Sequence, residues 1–470
     1  MVEPGPVPRV SVIIPTYNRA GLLRMALESV LAQTHSSIQV IVVDDGSTDE
    51  TAGMLAEYSG RVTHIRQANA GISRARNHGL EVAQGDYINF LDDDDTMMPR
   101  KIERQAAVLA ARPEVGLVHC RYCYLDRAGQ PLGRVGLLPQ KDVLRELLLH
   151  NFMWMGGPLI RRDCLGRVGA FDVGLSAAAD YDLWLRIAAG GFQFACIQEP
   201  LGGYRVHRGS MVTDIARVEQ DVMIALDKAF ASPYTPADLA TIRDRSYGTW
   251  YSWLARRYYS TGDWRNGQRS LAMALALCPQ LLENRGELLQ AFCDEALDPR
   301  TDDPLGLADR LYNHLPPVAE ELRPYRADLL SRMHAGLALR DYGSGKLADA
   351  REQLSQSISL YPTMLDHPGD FGSGVVSWAM RTPETSESYL ATVFDNLPGE
   401  AQGLRRAQRA ALGGVAIARA FEDYCAGRYR LAVVRILTAL RYRPSLARNR
   451  GVISVFARSL LGRPGERTGG

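Results

Sequence analysis

The sequence predicts an α/β domain built on a mostly parallel sheet, followed by an all-α helical-repeat domain. Three observations carry this. Between Val10 and Leu91, short apolar runs rich in β-branched and aromatic residues alternate with helical patterns. Beyond Ser246 the strand-like runs disappear and Ala, Leu and Arg at helical spacing take over. In that second half a block running from Gly to Pro recurs three times.

Residues 10–15 (VSVIIP) form a continuous apolar run, the pattern of a strand buried on both faces. Residues 22–34 have helical spacing, with Leu23, Leu27, Val30 and Leu31 on one face. The second strand, residues 40–43, ends in Asp44-Asp45-Gly46-Ser47, where Gly46 suits a tight turn and Ser47 or Thr48 can cap the next helix. Residues 62–66 predict a third strand, and residues 71–83 a helix carrying Arg74, Arg76 and Asn77. In residues 85–99 (GDYINFLDDDDTMMP) a fourth strand runs straight into Asp92-Asp93-Asp94-Asp95. Strands alternating with helices argue for a parallel sheet. Polar residues then gather at one edge of it: Pro15 and Tyr17, Asp44 and Asp45, and the four acids. Adjacent carboxylates repel one another unless solvent or cations lie close. Mg²⁺ and Mn²⁺ take oxygen ligands of this kind and bridge carboxylates to phosphates, whereas a solvated acidic turn is the plain alternative. Neither a G-x-G-x-x-G after the first strand nor a G-x-x-x-x-G-K-[ST] occurs, which disfavours dinucleotide and P-loop sites.

Residues 99–111 predict a helix and residues 115–125 a strand. Cys120 and Cys123 lie in that strand as C-x-x-C without a second pair and are expected to be ordinary small residues. A helix is expected to start near Asp180, burying Leu183, Trp184 and Ile187. A carboxylate there is stabilised as the anion, and capping alone would account for Asp180 and Asp182.

Length and charge bound the possibilities. The 470 residues suffice for two or three domains, and 54 basic against 53 acidic residues give no pointer to nucleic acid. An apolar run of membrane-spanning length is missing, the first residues lack the form of a secretion signal, and seven cysteines do not make a disulfide framework. The expected place is the cytoplasm, with at most peripheral contact at the inner face of the membrane through the Arg-rich C-terminal end and the apolar residues 451–461. A capping helix with a solvated basic tail explains that end equally.

Four stretches, in this order and spacing, resemble the inverting family 2 glycosyltransferases of glycosyltransferase A fold: VSVIIPTYNRAGLLRMALESVLAQT, VIVVDDGSTDET, NAGISRARNHGLEVAQGDYINFLDDDD and RVGAFDVGLSAAADYDLWLRIA. The resemblance covers residues 9–225 and implies a nucleotide-sugar half at 9–98 and an acceptor half at 99–225. It implies that Pro15 and Tyr17 line the base pocket, that Asp45 hydrogen-bonds the base, and that Arg76 and Asn77, which match the family's ARN stretch, lie near the nucleotide or brace the turn. Asp92 and Asp94 match the family's D-x-D, with Asp94 the metal ligand, Asp92 near ribose or metal, and Asp93 beside them. The family's Glu-Asp is Ala179-Asp180 here, so Asp180 takes the role of catalytic base without the preceding Glu. Tyr204-Arg205-Val206-His207 matches a family segment that closes over the donor, with His207 on metal or diphosphate and Arg205 and Arg208 available to phosphate charge. Residues 154–161 (WMGGPLIR) resemble the segment leading to the acceptor pocket, where Gly156 and Gly157 would allow close backbone approach.

The implied reaction moves a hexosyl group from a nucleoside-diphosphate sugar, a UDP-sugar foremost, to an acceptor hydroxyl with Mn²⁺ or Mg²⁺. The acceptor would be a saccharide, a lipid-linked saccharide or a protein, in surface polysaccharide or glycoconjugate synthesis. The alternative is a degenerate nucleotide-sugar-binding scaffold acting through its helical repeats. A sugar-phosphate nucleotidyltransferase is disfavoured because PTYNRAGLL is not a Gly-rich basic loop.

The remaining boundaries are a flexible N-terminus at 1–8, a connector at 226–245, the helical domain at 246–462 and a disordered tail at 463–470. In the helical domain, residues 262–279, 345–362 and 427–444 align, starting 83 and 82 positions apart. Small residues recur at Gly267, Ala350 and Ala432, and apolar ones at Leu271, Leu354 and Ile436. Each block resembles the second helix of a tetratricopeptide unit without its 34-residue period. About four helices per unit are expected, offering a surface for a protein partner or the acceptor.

Overall fold

The computed structural model describes residues 8–134, 138–139, 141–207, 213–381 and 385–461. The expected flexible start (all but residue 8), the expected tail and Arg208 lie outside them. The chain divides into two compact units, residues 1–131 with 135–251, and residues 132–134 with 252–470.

In the first unit the opening strands form as the apolar runs predict. β1 (Val10–Thr16) is buried along its whole length. Helix α1 (Ala20–Leu31) buries Leu23, Leu27 and Val30. Then come β2 (Ile38–Asp44), the short α2 (Thr51–Ala56), β3 (Thr63–Arg66), α3 (Ile72–Val82) and β4 (Tyr87–Phe90). β1 pairs in parallel with β2 on one side and β4 on the other, and β3 adds in parallel to β2. Ile13 of β1 sits beside Ile41 and Phe90, so the centre of the sheet is apolar on both faces. The carboxyl ends of β1, β2 and β4 therefore meet at one edge, carrying Tyr17, Asp45 and the acid cluster with them.

The rest of the sheet is mixed. β5 (Thr96–Met97), α4 (Lys101–Ala111), β6 (Val115–Leu125), β7 (Pro131–Arg134), α5 (Val143–Leu149), β8 (Leu159–Arg161), α6 (Arg162–Val168), α7 (Ala179–Ala189), β9 (Gln193–Arg205) and α8 (Ile215–Ala231) follow. The strand order is β3-β2-β1-β4-β8-β6-β9-β5, with β7 off this path. β8 runs antiparallel to both β4 and β6. β9 has no clean strand pattern in sequence because it carries Pro200, Gly202 and Gly203. Its pairing with β6 slips between Cys120 and Arg121, which face Ile197 and Pro200. Cys120 and Cys123 are both buried in this sheet.

Three expectations need correction. The helix after Ser47 has no cap at Ser47 or Thr48: Ser47 Oγ accepts from the Asn18 N–H, and α2 begins at Thr51, whose N–H donates to Asp49. The boundary at 225 falls inside α8, which buries Val222, Ala225, Leu226 and Ala229. The span 226–245 is mostly helical rather than a plain connector, because a 3₁₀ segment (Ala237–Ile242) follows α8 and buries Leu239 and Ile242.

The second unit is helical. From α9 (Arg243–Thr261) run α10 (Trp264–Leu277), α11 (Gln280–Glu283), α12 (Arg285–Ala296) and α13 (Pro304–Asn313). The next set is α14 (Arg326–Gly343), α15 (Leu347–Leu360), α16 (Pro368–Ala379) and α17 (Ser386–Asp395), and the last is α18 (Gln408–Cys425), α19 (Tyr429–Tyr442) and α20 (Arg450–Leu460). The three sequence blocks are α10, α15 and α19, each 14 residues long. Each follows a glycine at positive φ: Gly262 (92°), Gly345 (74°) and Gly427 (74°). A side chain there would be strained, so the glycine fixes where one helix stops and the next starts. Leu271, Leu354 and Ile436 are fully buried, as are Ala350 and Ala432, while Gly267 lies against the Tyr259 ring. The repeat reaches single hydrogen bonds. Tyr259 Oη donates to the His314 carbonyl and Tyr342 Oη to that of Asn396. The buried hydroxyl of Tyr424, at the same place in the third set, has no partner among the described residues.

Candidate active site

The site is built at the carboxyl edge of β1, β2 and β4. At the end of β1, Asn18 adopts φ 53°, and its side-chain oxygen accepts from the N–H of Thr48. This ties the loop after β1 to the loop after β2 and leaves Tyr17 projecting, 45% exposed, beside buried Pro15. Asp44 accepts from the Ser47 N–H and holds the turn. Asp45 is buried, accepting from Gln67 Nε2 and from the N–H groups of Ala70 and Gly71. It thereby shapes the loop leading into α3.

The four acids diverge. Asp92, Asp94 and Asp95 each place a carboxylate oxygen within 4.8 Å of the others. Asp93 points elsewhere, accepting from Thr16 Oγ1 at 2.7 Å and from Arg19 at 3.2 Å. Burial, reinforced by the charge of Asp94, pushes the Asp93 carboxyl up to about 7. Burial, then Asp94 and Asp92, raises that of Asp95 well above the ordinary range. The carboxylates are matched by donors on several sides. Arg76 reaches Asp92 at 2.5 Å. Arg19 reaches Asp94 at 2.9 Å, and His207 Nε2 lies 2.8 Å from the same Oδ2. Burial works against the charge on Arg19, yet Asp93 and Asp94 hold it more firmly protonated than usual.

A set of carboxylate oxygens this close, on Asp92, Asp94 and Asp95, is the donor chemistry of hard divalent cations. Asp95 is also an anchor. It accepts from Trp154 Nε1 and from the Arg205 N–H. The Trp154 ring is pressed so closely by Gly156 and Gly202 that a Cβ at either would lie 2.3 or 2.1 Å from it. The close approach expected at Gly156 is thus that of an indole ring. The buried Arg205 guanidinium donates to the carbonyls of Asp94, Asp126 and Arg127, so it braces the acid turn instead of facing phosphate.

Asp180 occupies the first turn of α7, half-buried, accepting from the Tyr181 N–H. Burial raises its carboxyl to about 6; Arg76 opposes the rise and Asp92 adds to it. Arg76 therefore connects the acid cluster to Asp180, and it also packs 5.3 Å from the centre of the Phe171 ring. Asn77 does not join them: it exchanges two hydrogen bonds with the backbone of Phe171 and braces that loop. Asp182 is structural, bridging Arg186 and Lys228.

The loop before α7 is held from α8. Asp221 Oδ2 accepts from the N–H groups of Ser176 and Ala177, both at 2.7 Å. Nothing near Asp221 in the sequence signals this, since its partners lie 44 and 45 positions away. Arg19, by contrast, stands within the PTYNR stretch, where its position directly after the first strand is the available signal. Among the described residues, no helix is long and apolar enough to cross a membrane.

The chain is similar to several known proteins. Residues 11–166 match the family model described as glycosyl transferase family 2. An uncharacterized glycosyltransferase of Rickettsia typhi is 31% identical over 277 residues, which are 57% of this chain and 85% of that protein. One from Haemophilus influenzae is 32% identical over 220 residues, covering 45% of this chain and 74% of its own length. A solved mannosyltransferase from Pyrobaculum calidifontis, in complex with GDP-Man and Mn²⁺, is 21% identical, with a TM-score of 0.43 over 68% of this chain and 88% of that one. With the relative from Rickettsia typhi matched over most of its length, the chain belongs to the family 2 glycosyltransferases.

Proposed function

We propose that the protein is an inverting glycosyltransferase that moves a sugar from a nucleoside-diphosphate sugar to an acceptor hydroxyl, with Asp180 as general base. The observation that carries this reading is the link made by Arg76, which holds Asp92 and tunes Asp180 at once. A cation-binding acid cluster and a separate carboxylate of raised basicity then face one site.

Asp92 and Asp94, with His207 beside Asp94, would hold a divalent cation. An ion held there would supply Lewis-acid neutralisation of charge on the departing diphosphate. Tyr17 offers an exposed ring on which a base can stack, and Asp45 sets the loop beneath it. Asp180 takes the proton of the acceptor hydroxyl. A carboxyl near 6 is a stronger base than an ordinary Asp and is still mostly ionised at neutral pH. With Asp180 serving only as base, the hydroxyl attacks opposite the diphosphate in one displacement, and the anomeric centre inverts. A UDP-sugar donor and a saccharide, lipid-linked or protein acceptor complete the reading.

The test is donor binding and hydrolysis across UDP-, GDP- and dTDP-sugars with Mn²⁺, Mg²⁺ or EDTA, beside Asp94→Ala. A response to one donor that needs the metal and is lost in the variant supports the reading. Folded protein that binds no donor overturns it.

A further inference from the structure

We propose that Arg19 is the exchangeable counter-cation of the acid cluster, surrendering Asp94 when a divalent cation binds and turning to the donor diphosphate. Metal and nucleotide sugar would then bind with positive coupling. The inference rests on the metal–donor reading above and adds a residue and a binding order to it.

Four observations support it. Asp94 Oδ2 receives both Arg19, at 2.9 Å, and His207, at 2.8 Å, so one oxygen carries two donors. The two differ chemically. A neutral imidazole can turn a lone pair toward a metal, whereas a guanidinium has no acceptor atom and cannot join a coordination sphere. Arg19 must therefore leave that oxygen when a cation takes it, and the charge of the cation repels it as well.

Arg19 also has a pivot and an outlet. The same Nη1 lies 3.2 Å from Asp93, which points away from the group formed by Asp92, Asp94 and Asp95. Its side chain is 31% exposed, against 6% for Asp93, 11% for Asp94 and 27% for Asp92, so it is the most exposed of these four and has access to solvent. The backbone there is fixed independently, because the Arg19 carbonyl accepts the N–H groups of Leu22 and Leu23 at the start of α1. Swinging the side chain leaves the helix in place. A released guanidinium is suited to phosphate oxygens.

The consequence is thermodynamic. Without donor, Arg19 competes with the metal. With donor, the diphosphate engages Arg19 and relieves that competition. Such a coupling is reciprocal between the two ligands and typically amounts to about 5- to 150-fold in affinity.

The experiment is Mn²⁺ titration followed by electron paramagnetic resonance, with and without UDP or GDP, on wild type, Arg19→Gln and Arg19→Lys. Circular dichroism checks each fold. We expect nucleotide to tighten Mn²⁺ at least about fivefold in the wild type. Arg19→Gln should bind Mn²⁺ alone several-fold more tightly than wild type and gain less from nucleotide than wild type does, keeping only the coupling made by direct metal–diphosphate contact, and Arg19→Lys should keep the full coupling. A merely structural role predicts the opposite sign, a looser metal site in Arg19→Gln. Equal or weaker Mn²⁺ binding by that variant overturns the inference and leaves the proposed function standing. If none of the three proteins takes up Mn²⁺ under any condition, the metal reading falls, and this one with it.

Discussion

Replacing Asp180 by Asn tests the chemistry at one atom. The amide has nearly the shape of the carboxylate, and its oxygen can still accept from the Tyr181 N–H, so α7 should stay in register. Only the base is lost. With its carboxyl at about 6, Asp180 is about nine-tenths ionised at pH 7, so almost every wild-type molecule is competent there. Removing a general base costs about 10²- to 10⁴-fold in rate, or about 3 to 5 kcal/mol at the transition state. The assay is turnover of the donor identified by the panel, beside donor affinity from calorimetry. The expected result is kcat reduced by at least about a hundredfold with donor affinity unchanged. The wild type should also lose activity as pH falls through about 6, because protonation of Asp180 removes the base, and that limb should vanish in the variant. An Asn enzyme with near-normal turnover and the same acid limb would refute the assignment.

Other consequences follow from the same geometry. Arg76→Gln removes the cation that holds the Asp180 carboxyl down, so the acid limb of a pH–rate profile should move to higher pH. An unmoved limb would mean that Arg76 does not tune the base. Asp221→Ala removes the acceptor of the half-buried N–H groups of Ser176 and Ala177, and chemical denaturation should show a loss of about 1 kcal/mol per bond, with kcat reduced as well. Gly202→Ala drives a methyl into the Trp154 ring; stability should fall by about 1–3 kcal/mol, and Mn²⁺ affinity with it, because that ring carries the donor to Asp95. A fully stable Ala variant would show that the indole is free to move.

How much could be read from the sequence depended on how local each signal is. β1, β2 and β4 were plain because β1 and β4 are buried throughout and β2 from Val40 onward, so each carries an apolar run. The helix at Asp180 was equally legible from Leu183, Trp184 and Ile187, all buried on its inner face. β5 was not, since two residues carry no period, and β9 was hidden by Pro200, Gly202 and Gly203. The helical repeat survived in sequence because its glycines, small contact residues and buried leucines serve the same purpose in each copy.

The site was legible in its acids and not in what orders them. Asp92 and Asp94 are marked by their run, and His207 by its motif. The neutral anchors and counter-cations come from far along the chain: Trp154 lies 59 positions from Asp95, and Arg19 lies 75 from Asp94. Nor could the sequence say which of four adjacent aspartates would turn away. The structure assigns that to Asp93, through Thr16 and Arg19.

The most direct test of inverting transfer is a structure of the Asp180→Asn protein with Mn²⁺ and the donor selected by the panel. The account predicts metal density against Asp92 and Asp94. It also predicts that residue 180 lies across the sugar from the diphosphate, with room for an acceptor hydroxyl between them. Metal bound away from these acids, or residue 180 on the same side of the sugar as the diphosphate, would contradict it.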